Sequence, residues 1–141
     1  MAVIVMSPQF YISMSQDLES NRALTELLDW LATDSINYQV NQSHLPFSAF
    51  SSGPVRRKIR QHIRACDYFL VIISQNTYKS NWVNWEIEAA LRLHKPLLIL
   101  RVRDTYITPD ALYKTEYDEC LTFSKRHLEE TLRSLSSKNT E

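Results

Sequence analysis

The chain has 141 residues, 44% of them apolar and 23% charged, with 16 basic side chains balanced by 16 acidic ones. This is enough for one domain with a real core, and a net charge of zero gives no global attraction to nucleic acid or to an anionic membrane. Gly53 is the only glycine, which excludes a Walker A loop, a GxGxxG dinucleotide turn and a kinase glycine-rich loop, each of which needs several.

Met1–Gln9 reads as a short extra strand or a lead-in, with Pro8 separating it from the first main strand. Its apolar part, Ala2–Met6, is too short for a signal-peptide core or a membrane span and has no basic lead. A cytoplasmic protein is therefore expected. Cys66 and Cys120 are far apart and form no CxxC, which fits two reduced thiols.

Phe10–Met14 is that first main strand, ending in the small polar set Ser13, Met14, Ser15, Gln16. Leu18–Ala32 carries Leu24, Leu27, Leu28 and Leu31 at helical spacing, with Asp17 and Glu19 at its acidic start. Ile36–Val40 alternates apolar and polar residues, as a half-exposed edge strand does. Asn41–Gly53 is a long polar and aromatic loop with His44, Phe47 and Phe50, either a lid or a connector. Pro54–Cys66 is a helix with Pro54 in its first turn and a stripe of Val55, Ile59, Ile63 and Cys66. Its opposite face, Arg56, Arg57, Lys58, Arg60 and Arg64, reads as a solvated or interaction surface.

Two continuous apolar runs come next, Tyr68–Ile73 and Leu97–Val102, each suited to a strand buried on both faces. Between them Val83, Ile87, Ala90 and Leu91 repeat at helical spacing, with Ser80 as N-cap and Pro96 as the stop. Strand, helix and strand at this separation make a parallel βαβ unit. Residues 103–119 are irregular, Cys120–Phe123 is a short last strand, Ser124–Leu135 is a closing helix and Ser136–Glu141 a frayed polar tail. A single domain is expected over 1–141, with its core at 10–102, an extension at 103–135 and a tail at 136–141.

This alternation predicts a three-layer α/β fold with a mainly parallel five-stranded sheet in the flavodoxin-like order 2-1-3-4-5. Ligands of such sheets bind outside the carboxyl ends of the strands where the order reverses, here between the first and third. Ser13–Gln16, Ser74–Asn76 and Ser80–Glu86 meet at that crevice. At roughly 100° per residue, Glu86 lies at one border of the buried stripe beside Trp82, and Glu88 lies in solvent with Arg92 four residues on. Glu86 is then either a dipole partner on a solvated flank or a carboxylate at a cleft edge, whose pKa desolvation would raise.

Particular residues in these segments resemble a known family. Phe10-Tyr11-Ile12-Ser13-Met14-Ser15 looks like the first-strand "FISYS" motif of TIR (Toll/interleukin-1 receptor) domains, and Arg64–Ser74 like their third-strand segment. Ser80-Asn81-Trp82-Val83-Asn84-Trp85-Glu86 is similar to their SxWCxxE signature with Val83 in place of Cys. The Trp-Val form and the basic residue before Pro96 look closest to the Thoeris-type branch of bacterial and archaeal TIR-like proteins. The resemblance covers about residues 10–102.

It implies an NAD-cleaving enzyme of anti-phage defence that releases nicotinamide and makes a cyclic or conjugated ADP-ribose signal for a separate effector. NAD is substrate, with no cofactor, and Glu86 is the implied catalytic residue. Tyr11, Ser13, Ser15, Asn41, Ser74, Asn76, Ser80 and Trp82 are the candidate substrate-binding residues, the serines and asparagines for ribose hydroxyls and phosphates and Trp82 as a stacking wall. A homo-oligomer is a further implied partner; nucleic acid and membrane are not. The chain departs from the pattern at Ser43, where many TIR domains carry Asp, and in the aromatic-rich loop ending at Gly53.

Two other readings compete. One is a non-catalytic TIR-type module that signals by assembly through the 54–66 helix. The other is a nucleoside deoxyribosyltransferase-like enzyme, which also sets a Glu at an anomeric carbon. A response-regulator receiver is excluded because Ser74 stands where the acceptor Asp would be. His44, His62, His94 and His127 lack metal-ligand spacing.

Overall fold

In the computed structural model, residues 8–32, 37–40, 53–115, 117–120 and 123–139 are described. Their order follows from the two apolar runs. Strand β3 (Tyr68–Ile73) is buried at every position, and β4 (Leu97–Arg101) at all but its last. Strands buried on both faces belong in the middle of a sheet covered by helices on each side. The other elements are β1 (Gln9–Ser13), α1 (Leu18–Leu31), β2 (Asn37–Val40), α2 (Gly53–Ala65), α3 (Asn81–Arg92), β5 (Asp118–Cys120) and α4 (Lys125–Asn139). All neighbouring strands are parallel, in the order β2-β1-β3-β4-β5.

Alternation within each strand divides the core in two. Tyr11, Phe69, Val71, Ile73, Leu97 and Ile99 face one side, where they pack with Ile59 and Ile63 of α2 and Val83, Ile87 and Ala90 of α3. Phe10, Ile12, Leu70, Ile72, Leu98 and Leu100 face the other, against Ala23, Leu27 and Leu31 of α1 and Leu128 of α4. At about 25 cal/mol per Å² of apolar surface, these two layers are the main source of stability, and they fix which side chains of β1 can meet α3.

Several boundaries differ from the sequence reading. β1 begins one residue earlier, where the Gln9 amide donates to Asp67 Oδ2 at 2.7 Å. Helix α3 ends at Arg92, before Pro96 can act. His94 takes the left-handed conformation with φ 55°. Its amide bonds to the Leu91 carbonyl, and the Lys95 amide to that of Ala90, both at 3.1 Å. This is a Schellman-type C-cap with histidine where glycine usually stands. Lys95 then reaches across to α2, its Nζ donating to the carbonyls of Arg64 and Cys66 at 2.8 Å each. A cation there satisfies carbonyls that the end of α2 leaves open.

The last strand lies two residues before its expected start, because its register is set by pairing with Leu98–Leu100 rather than by an apolar run of its own. Helix α4 continues to Asn139 through residues expected to fray. A 3-10 turn, Asp110–Lys114, occupies the segment expected to be irregular; the Asn84 side chain accepts from the Ala111 amide at 3.0 Å and ties it to α3. The expected loop residues Asn41, His44, Phe47 and Phe50 lie outside the described residues. Among the described residues, no helix is long and apolar enough to cross a membrane.

Candidate active site

Helix α3 starts where Ser80 caps it. The Ser80 hydroxyl accepts from the Val83 amide at 3.2 Å, which replaces a partner that first-turn amides lack. With the start fixed, Glu86 falls in the second turn among Trp82, Val83, Ile87 and Ala90, all buried. Glu86 is fully buried, 0% exposed. It lies inside the packed stripe rather than at its border, whereas Glu88 is exposed.

A carboxylate in such a place needs partners, and β1 supplies them. Tyr11 and Ser13 sit two apart on the strand, so both point toward α3. The Tyr11 hydroxyl donates a short hydrogen bond to Glu86 Oε2, and the Ser13 hydroxyl donates to Oε1 at 2.8 Å. Each oxygen of the acid therefore receives a hydroxyl proton, which suits an acceptor-only ionised carboxylate. Tyr11 is held as the neutral donor: burial pushes its ionisation far above the ordinary phenol range, and the charge of Glu86 and the bond to it push the same way. One face of the Tyr11 ring is stacked on Phe69, with centroids 5.5 Å apart and planes 8° from parallel. A cavity of about 160 Å³ adjoins Tyr11, bounded by Gln39 and Val40 of β2 and by Val55, Lys58, Ile59 and His62 of α2.

A second polar group closes the carboxyl ends of β1 and β3. Asp17 caps α1, accepting from the Ser20 amide at 2.7 Å, and its other oxygen accepts from Ser15 at 2.7 Å and Ser74 at 2.9 Å. Thr77 lies 2.9 Å from both Ser15 and Ser74 and accepts from the Ser74 amide at 2.8 Å. Burial acts to raise the Asp17 pKa, but the hydrogen bonds from Ser15, Ser20 and Ser74 outweigh it, and the net shift is downward. These hydroxyls bond to one another and to Asp17 across the carboxyl ends of β1 and β3.

The expected site residues thus separate. Tyr11 and Ser13 meet Glu86; Ser15 and Ser74 join the Asp17 group. Ser80 serves as the helix cap, Trp82 is packed into the core at 5% exposed, and Asn76 is exposed at the entry to a 3-10 turn. Asn41 lies outside the described residues. Sequence reading missed Asp17, Ser20 and Thr77 as a polar group, although an Asp three residues before a Ser at a helix start is a capping signal. It also missed Gln39, Lys58 and His62 around one cavity, because no local pattern brings β2 and α2 together. Among the described residues, no three His, Cys, Asp or Glu side chains are grouped to hold a metal ion.

Residues 11–106 match the family model for the Thoeris protein ThsB, TIR-like domain. Among solved structures, the fold is similar to Clostridium botulinum CMP N-glycosidase, BcmB, at 12% identity and TM-score 0.55, over 89% of this chain and 98% of that one. It is also similar to the TIR domains of the activated Roq1 resistosome, at 16% identity and TM-score 0.50, over 69% of this chain and 60% of that one. The N-terminal domain of a response regulator/sensory box/GGDEF 3-domain protein from Carboxydothermus hydrogenoformans matches at 10% identity and TM-score 0.57, over 94% and 99%. At these identities the likeness is one of fold. No curated protein matches the chain.

Proposed function

Because the chain belongs to the family of the Thoeris protein ThsB, TIR-like domain, we propose that it cleaves the nicotinamide–ribose bond of NAD, with Glu86 as the catalytic carboxylate. The observation that carries this reading is Glu86 itself, a buried acid whose two oxygens are each engaged by a hydroxyl from β1. Two hydroxyl donors on one carboxylate are what the 2′ and 3′ hydroxyls of a bound ribose would provide. A substrate ribose can therefore take the place of the Tyr11 and Ser13 hydroxyls without leaving the acid unsatisfied.

The chemistry asks little more. The bond between C1′ and the pyridinium nitrogen breaks, its electron pair goes to that nitrogen, and neutral nicotinamide leaves without a proton. The ribose becomes an oxocarbenium-like cation, and the anionic Glu86 stabilises it in a site shielded from water, where the attraction is strongest. Addition of water with loss of a proton gives ADP-ribose. Addition of a nucleobase nitrogen, or of another nucleophile, gives a cyclic or conjugated product. In this reading the product is the signal that activates a separate effector during phage infection. The named activity of one fold neighbour, a CMP N-glycosidase, accords with cleavage at an anomeric carbon on this architecture.

The full burial of Glu86 favours one second reading, in which the acid is a brace between α3 and β1 and the protein signals by assembly. One experiment separates the two. Wild type and Glu86→Gln are incubated with NAD, and in parallel with deoxynucleosides, with and without lysate from phage-infected cells. Nicotinamide and ADP-ribose products are then followed by chromatography and mass spectrometry. Nicotinamide release by wild type alone, with both proteins melting at similar temperatures, supports the enzyme. No turnover under any condition, with the variant equally protective in cells, refutes it; turnover of deoxynucleosides instead of NAD points to a deoxyribosyltransferase.

A further inference from the structure

We propose that α2 binds the phosphate backbone of a nucleic acid, without regard to base sequence, through Arg56, Arg57, Arg60 and Arg64. The inference is independent of the chemistry at Glu86. It starts from how charge is distributed. The chain carries 16 basic and 16 acidic side chains, but α2 holds five of the former, the four arginines and Lys58, and none of the latter. The rest of the chain is then net acidic, and a protein neutral as a whole presents one concentrated positive face. Helix α4 shows the usual alternative: its basic residues are mixed with Glu129 and Glu130, and Arg126 pairs with Glu130 at 3.3 Å. Among the described residues no carboxylate is paired with a cation of α2.

The helical period arranges these cations. Ile59 and Ile63 of α2 are buried in the core shared with α3, which turns the remaining faces outward. Arg56, Arg60 and Arg64 follow at every fourth position, so they form one ridge with steps of about 6 Å. Arg57 lies beside that ridge, three residues before Arg60 and seven before Arg64. Arg57 and Arg64 are exposed, and Arg56 and Arg60 half-buried. Lys58 lies off the ridge, beside the cavity at Tyr11. A step of about 6 Å is close to two steps of the roughly 3.4 Å per charge along one strand of duplex DNA. The Arg60 guanidinium lies 5.4 Å from the centre of the Trp85 ring of α3, a cation–π contact that holds its planar fork in place before any ligand arrives.

The make-up of the face selects the partner. Guanidinium groups engage phosphate oxygens through paired N–H donors. Contacts of that kind fix a protein on a backbone and read no bases. Anchoring in a bilayer surface takes apolar side chains beside the cations. The large exposed apolar side chains among the described residues are Leu18, Tyr38, Ile107 and Tyr113, and all of them lie off α2.

A short labelled DNA duplex of mixed sequence is titrated with the protein and followed by fluorescence anisotropy at about 50 and 200 mM salt. Wild type is compared with Arg57→Gln/Arg64→Gln and with Lys125→Gln/Arg126→Gln, which removes the same charge from α4. Thermal unfolding checks each fold, and sedimentation without DNA checks for self-association. Wild type is expected to lose about a hundredfold in affinity between the two salt concentrations, as four phosphate contacts produce. With two contacts left, the α2 variant is expected to bind about tenfold weaker or more at low salt and to lose only about tenfold between the two. The α4 variant and a second duplex sequence are expected to match wild type. Failure of wild type to bind at low salt, equal weakening by the two variants, or preference for one duplex sequence overturns the proposal. So does tighter binding to phosphatidylserine vesicles than to the duplex. Self-association of the DNA-free protein that Arg57→Gln/Arg64→Gln abolishes makes a second copy the occupant and overturns it too.

Discussion

Replacing Tyr11 with phenylalanine removes one hydroxyl and leaves the ring on Phe69. The lost group donates to a carboxylate that is 0% exposed, so no solvent stands ready to replace it. Hydrogen bonds to charged groups contribute about 1.5–3 kcal/mol. Phenylalanine also escapes the cost of drying a phenol, which offsets part of the loss. The expected net destabilisation is about 2 kcal/mol. With a urea m-value of roughly 1–3 kcal/mol/M, the unfolding midpoint should fall by about 1 M. Equilibrium urea unfolding by circular dichroism measures it. A double-mutant cycle with Glu86→Gln should show a coupling of about 1–2 kcal/mol, since the two side chains touch. A loss under about 0.5 kcal/mol at unchanged m, with no coupling, would falsify the view that this bond holds the acid in place.

Two further outcomes concern contacts elsewhere and the response to pH. Lys95→Met keeps the apolar stem and removes the ammonium from the Arg64 and Cys66 carbonyls; it should cost about 1–2 kcal/mol and speed hydrogen exchange in the last turn of α2, and unchanged protection there counts against the cap. At high pH, Tyr11 cannot ionise in the folded protein as it does near pH 10 when unfolded. A raised folded value means that this contribution is fully present below about pH 10 and is lost as pH rises above it. Urea midpoints of wild type and Tyr11→Phe should run parallel up to about pH 10, the raised thiol of Cys66 acting equally in both, and above it fall more steeply for wild type. Equal slopes would reject the assignment.

Much of this arrangement was legible in the order of residues. The continuous runs at 68–73 and 97–102 suited strands buried on both faces, and the strict alternation at 36–40 suited a half-exposed edge; together they fitted the order that the sheet has. Ser80 and the helical spacing after it placed Glu86 against the sheet. The hidden part depended on pairs of elements. Whether Glu86 sits at the border of the stripe or within it turns on how α3 is rotated over β1, and no local pattern encodes that rotation. That Tyr11 and Ser13 share a face was readable from their spacing, but the group they face was not. The stop of α3 was misplaced because glycine is the usual mark of a left-handed cap, and His94 takes that conformation here. The acidic strand Asp118–Cys120 carries no apolar signal and is defined only by its partner.

The bonds that hold Glu86 join residues 75 and 73 positions apart in the chain. Contacts so distant in sequence form only after the loop between them has been closed at an entropic cost, and they belong late in folding. Tyr11 and Ser13 leave the ribosome long before Glu86, and the acid has no partner from β1 until β3 has paired beside that strand and α3 has docked. A chain cut short before α3, or caught with its sheet half assembled, holds no ordered carboxylate. The arrangement at Glu86 is thereby tied to completion of the fold.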